Sequence, residues 1–185
     1  MNVTNLTQPP GLYWHFLPIS RLLHYGDGRL VETGQTLRVE GRPHLALHGL
    51  HASVRAIDAL SYGHGPIACR VTLGGQVAQS SNLLAAQERT CLWMVDATRI
   101  LQEFASDVAG KSEMAFARAA EHTVAKNTAW DAANAAGSAA HVAAHVSDRD
   151  AAWSTVYTDA YAAAYEGFNV RLTQMLLAAG QEGKK

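Results

Sequence analysis

With 185 residues, 15 basic and 16 acidic side chains and a formal net charge of −1, the chain can bury its own core. It is too weakly charged for a polyanion binder or an acidic nucleic-acid mimic. No run of 18 apolar residues is free of charge, and Met1 to Pro10 has no basic segment leading into an apolar one. These features argue against membrane spanning and secretion and for the cytoplasm of a bacterial host.

Residues 1–11 end in Pro9-Pro10-Gly11, a sequence that neither a helix nor a central strand tolerates, so they read as a flexible arm. Leu12 to Leu17 is aromatic-rich and predicts a strand stopped by Pro18. Asp27-Gly28 reads as a tight turn, and Thr36 to Val39 as a strand between the turns at Gly34 and Gly41. From Ser53 to Tyr62 the apolar residues recur every three to four positions, which predicts a short helix with Ser53 as its N-cap. After Gly63-His64-Gly65-Pro66, the alternation from Ile67 to Leu73 predicts a strand ended by Gly74-Gly75, with a second piece at Gln76 to Ala78. Ser80-Ser81-Asn82 reads as a turn, and another strand is predicted over Arg89 to Val95. Asp96 is placed to cap a helix from Ala97 to Val108, whose stripe is Ile100, Leu101, Phe104 and Val108.

Composition changes near Gly110. Six of the nine histidines and eight arginines but no lysine precede it, whereas 22 of the 60 residues from Ala105 to Ala164 are alanine. Alanine favours helix and allows close helix approach, so the pairs from Ala132-Ala133 to Ala143-Ala144 predict a helix from about Ser112 toward Val146. Ser147 with Asp150 resembles a capping box for a second helix stopped by Gly180. The fold expected is α+β: a small mixed α/β domain over 12–110, then a long Ala-rich antiparallel helical hairpin over 111–180, with a disordered tail at 181–185.

The run Gly49-Leu50-His51-Ala52-Ser53, with Asp58-Ala59-Leu60, Tyr62, Cys69-Arg70-Val71, Arg89 and Asp96-Ala97, resembles a family of uncharacterised phage and prophage proteins. Those proteins carry a G-[L/F]-H-A core and an alanine-rich tail. The resemblance spans about Tyr13 to Ala109 and implies a phage or mobile-element origin, with no activity attached. The chain departs from the family pattern at Ala46, where a cysteine is usual, and at Ser81-Asn82-Leu83, where an Asp-Lys pair precedes the arginine.

Four constellations are candidates for function. His44, His48 and His51 lie within eight residues and could ligate a borderline metal, although no acidic residue falls among them. His141 and His145 share a helix face at i, i+4 spacing, without the Glu of a zinc-protease motif. The order His15, His51, Tyr62, Glu88 is faintly similar to ADP-ribosyltransferase-like folds, in which a carboxylate stabilises a ribosyl cation and an aromatic ring holds the leaving base. Trp153, Tyr157, Tyr161 and Tyr165 repeat every four residues and, with Trp130, form a candidate interface ridge. Cys69 and Cys91 lack metal or redox spacing and read as buried thiols.

No phosphate-loop, dinucleotide or nucleophile-elbow motif occurs, so no cofactor is implied. The incomplete catalytic set and the ridge favour a non-catalytic phage accessory protein that binds a host or anti-phage defence protein as an inhibitor, with a homodimer as a further possibility. An ADP-ribosyltransferase-like or other nucleotide-binding enzyme is one alternative, and an oligomeric structural phage protein the other. Membrane and nucleic-acid partners are not indicated.

Overall fold

The computed structural model describes residues 11–24, 27–45, 47–109 and 153–182. The elements, in chain order, are strands β1 (Tyr13–Leu17), β2 (Thr36–Arg38) and β3 (Leu50–Ala52), then helix α1 (Ala56–Ser61). Strands β4 (Ile67–Gln79) and β5 (Leu84–Asp96) follow, then helices α2 (Thr98–Ala109) and α3 (Trp153–Glu182).

All strand pairings are antiparallel, in the order β1-β4-β5-β2, with β3 also on β5. The long β4–β5 hairpin turns at Ser80, whose N–H donates to the Leu83 carbonyl at 2.9 Å. Gly74-Gly75 does not end β4 as predicted. The strand continues to Gln79, and the glycines sit at a shift of register between Gly74 and Val77, where Gly75 takes φ +68°. A second shift leaves Leu92 as the extra, exposed residue opposite Arg70 and Val71. Trp14 and Ser53 exchange both backbone bonds, at 2.8 and 2.9 Å, so the path β1-β4-β5-β3 returns to β1 and closes a small ring of strands.

The pairing of Ser53 with Trp14 explains why it does not cap α1. That helix starts after Arg55 without a side-chain cap. Asp96 does cap the start of α2, accepting from the Thr98 N–H at 2.9 Å and the Thr98 hydroxyl at 2.6 Å.

Side chains alternate across β1, so two cores form. Trp14 and Phe16 face α1, α2 and α3 in a cluster with Ile57, Leu60, Leu101 and Phe104, whereas Tyr13 and Leu17 join Leu37, Leu50, Cys69, Val71 and Cys91 in a second cluster. Phe168, Leu172 and Leu176 of α3 belong to the first cluster, and burying each stabilises the fold by about 2 kcal/mol.

This overturns the α+β expectation of a small mixed α/β domain followed by a long Ala-rich antiparallel helical hairpin. Among the described residues the only long helix is α3, and it is a layer of the main core. The alanines and the aromatic repeat stand out in the sequence, whereas the stripe that packs into the core is Phe168, Leu172 and Leu176. Residues 110–152, with the proposed first arm of the hairpin and the Ser147–Asp150 cap, lie outside the described residues. Gly180 does not stop α3, which runs to Glu182. A Cβ there would lie 2.8 Å from the Trp93 indole, so the glycine admits that ring.

Candidate functional site

A cleft of about 440 Å³ is lined by β1, by β3 with the residues just before it, and by the segments that carry Leu23, Tyr62 and His64, with Arg89 of β5 in its wall. Its apolar lining includes Trp14, Leu17, Leu23 and Leu83, and its polar lining includes His15, His51, Ser53 and Arg89. His15 lies between Tyr13 and Leu17 on β1, so alternation turns it away from the helices. Gly49 brings β3 against β5. Its φ is +121°, and an added Cβ would meet the Ala85 Cβ at 3.2 Å and the Ala86 carbonyl at 3.3 Å. The Gly49–Ser53 motif thus has a structural account: close approach at Gly49, core packing by Leu50 and Ala52, a cleft position for His51, and closure of the ring by Ser53.

Arg89 is 3% exposed on β5 and forms no salt bridge among the described residues. Its Nη1 donates to the His51 carbonyl oxygen at 2.6 Å. Its Nη2, the Nε2 of His51 and the Oγ of Ser53 are buried without a hydrogen-bond partner. Buried polar atoms are ordinarily satisfied, and here three unsatisfied ones belong to residues that line one cleft.

Burial holds the His15 imidazole well below its usual range, and Arg89, His51 and His64 add to the effect. His51 is lowered by burial and then by Arg89 and His48. Both rings are therefore neutral at pH 7. Burial also pushes Arg89 down to about 10, so it stays charged. The buried Cys69 thiol donates to the Ile67 carbonyl at 3.8 Å and the Cys91 thiol to the Trp93 carbonyl at 3.6 Å. The influence of each thiol on the other raises Cys69 and lowers Cys91.

His24 and His64 stack along the cleft with ring centroids 4.1 Å apart, and Tyr62 is 44% exposed on its wall. Asp27 is the only carboxylate among the described lining residues, and Arg29 holds it through bonds of 2.6 and 2.7 Å.

The structure brings His15, His51 and Tyr62 to one cleft. It places Glu88 elsewhere, 3.3 Å from Arg38 across the β2–β5 pair. Of the three clustered histidines, His48 and His51 line the cleft, but the His48 Nε2 is bonded to the Glu40 carbonyl at 2.6 Å. The His44 Nδ1 is bonded to the Leu45 carbonyl at 3.0 Å, outside the lining. Among the described residues no group of three His, Cys, Asp or Glu could hold a metal.

Tyr161 and Tyr165 stack on each other at 5.9 Å and pack against the helix-side core. Tyr165 also donates to Asp58 at 3.3 Å and lies under Arg55 at 5.1 Å. Trp153 and Tyr157 belong to α3, but their side chains lie outside the described residues, as do Trp130, His141 and His145 entirely.

Sequence reasoning assigned no site role to Arg89, Ser53, His24, His64 or Asp27. The available signal was an arginine at an inward-facing position two residues before the buried Cys91. No helix among the described residues is long and apolar enough to cross a membrane. Comparison of the chain with protein-family models, curated proteins and solved structures finds no match.

Proposed function

We propose that the protein acts on a small molecule of the nucleotide-utilising class in the histidine-lined cleft, with His15 and His51 as proton-transfer groups. The supporting observation is the convergence of His15 on β1, His51 on β3 and Tyr62 after α1 on one cleft that also holds unpartnered buried polar atoms. A cleft of about 440 Å³ has the size of a small-molecule site. At pH 7 both imidazoles are in the neutral form that can accept a proton.

Ribosyl transfer on the pattern of the ADP-ribosyltransferase-like folds draws less support, because Glu88 is outside the cleft and Asp27 is neutralised by Arg29. The reading as a non-catalytic inhibitor of a host or defence protein draws none from Tyr161 and Tyr165, which are committed to internal packing.

The test is turnover of a panel of nucleotides and nicotinamide dinucleotides by the purified full chain, followed by chromatography. Conversion of one member, lost in His15→Ala and His51→Ala variants that keep their fold, supports the proposal. If no member is converted or bound, while a host protein co-purifies stoichiometrically through α3, the inhibitor reading replaces it.

A further inference from the structure

Arg89 presents an energetic problem that the fold leaves unsolved. Taking a guanidinium out of water costs several kcal/mol unless an anion and full hydrogen bonding compensate it. Here the described residues supply one carbonyl, that of His51, and no carboxylate within salt-bridge distance, although Asp27 acts on the guanidinium from farther off. Asp27, the one acidic residue in the lining, is bound to Arg29. The neighbouring imidazoles cannot neutralise a cation. An inward cation with one end of its guanidinium, Nη2, unpartnered in a cleft of ligand size is the arrangement by which preorganised sites hold oxyanions.

Resting on the small-molecule reading above, we infer that the substrate carries a carboxylate or phosphate, and that this oxyanion is seated on Nη2 of Arg89. The Ser53 Oγ and the His51 Nε2 are the other buried, partner-free polar atoms among the residues of the same lining. Ser53 is fixed by its two backbone bonds to Trp14, and Arg89 by its bond to β3, so neither needs reordering when the anion arrives. The rest of the lining is largely apolar, from Leu17 and Leu23 to Leu50 and Leu83, which suits an organic body attached to the anion. The shared chemistry is the oxyanion. Carboxylate and phosphate sources are separated by the probe.

The full chain is titrated at constant ionic strength with inorganic phosphate, acetate or acetamide while the ring resonances of His15 and His51 are followed by NMR. Saturable shifts with phosphate or acetate, none with acetamide, and at least a tenfold weaker response in Arg89→Met are expected. Saturation by phosphate alone assigns a phosphoryl substrate, and by acetate alone a carboxylate. Responses no larger than those of chloride, or equal responses to acetate and acetamide, overturn the inference. Ser53→Ala, expected to weaken the response several-fold, serves if Arg89→Met does not fold. Turnover of a nucleotide in the panel without any anion response would leave the proposed function standing and remove only the oxyanion seat.

Discussion

Arg89 on β5 donates from Nη1 to the backbone carbonyl of His51 on β3 at 2.6 Å, so the one deeply buried cation of the cleft is tied to the strand that carries the motif histidine. This bond runs to β3, whose register on β5 is set by its own backbone pairing, while the other end of the guanidinium, Nη2, has no partner. The arrangement sacrifices stability for a charge held ready.

That trade predicts an unusual stability result. Replacing an uncompensated buried charge with an apolar side chain of similar length is neutral or stabilising by about 1–4 kcal/mol. Arg89→Met should therefore leave the urea midpoint unchanged or raise it. A loss of more than about 2 kcal/mol would make Arg89 a structural residue.

The pH dependence follows from the two lowered imidazoles. Below the usual histidine pKa of 6.5 the unfolded chain takes up protons that folded His15 and His51 refuse, so stability is present above 6.5 and declines as pH falls toward the folded values. Each ring contributes a slope of up to about 1.4 kcal/mol per pH unit. Urea midpoints at pH 7.5 and 5.0 should differ in this direction, and His15→Gln should reduce the difference. An unchanged difference would show that His15 titrates normally.

Helix α3 is locked to α1 through Asp58, which is 3% exposed. It accepts from Arg55 at 2.7 and 3.0 Å and from Tyr165 at 3.3 Å. Tyr165→Phe removes one bond and should cost about 1 kcal/mol. Asp58→Ala removes the Tyr165 bond and both Arg55 bonds, leaving Arg55 only Glu166 at 3.8 Å, and should cost about 2–3 kcal/mol. Thermal unfolding of both variants checks the order, and equal losses would mean that the tyrosine hydroxyl carries the whole contact.

Gly180→Ala places a methyl within 3 Å of three atoms of the Trp93 indole, a rigid ring that cannot swing aside as a flexible tip would. The overpacking cost is about 1–3 kcal/mol. Trp93→Leu in the same chain should recover part of it, and a double-mutant cycle reads the coupling. Additive losses would show that the ring moves away freely.

How much of this was legible beforehand can be seen residue by residue. Aromatic enrichment before Pro18 locates β1, period-2 alternation the start of β4, and Asp96 is legible as a cap, because local patterns and capping chemistry are written in adjacent residues. Ser53 was misread because its partner, Trp14, lies 39 positions away, and a cap and a strand bridge use the same residue type. Gly74-Gly75 was misread as a strand end because a glycine pair serves a bulge as readily as a turn. His15, His51 and Tyr62 could be named as candidates, but their shared cleft follows from the closed ring of strands, which depends on long-range pairing. Arg89 could be seen on a strand, whereas its lack of a partner is a property of the assembled interior.

The central claim is that the cleft holds a small molecule through Arg89 and the motif histidine. The most direct test equilibrates wild-type protein and folded Arg89→Met with a bacterial metabolite extract, removes unbound material by ultrafiltration and identifies what denaturation releases by mass spectrometry. The account predicts a phosphorylated or carboxylated metabolite near stoichiometric amount from the wild type and its depletion by at least tenfold from the variant. Indistinguishable small-molecule contents in the two samples would contradict it.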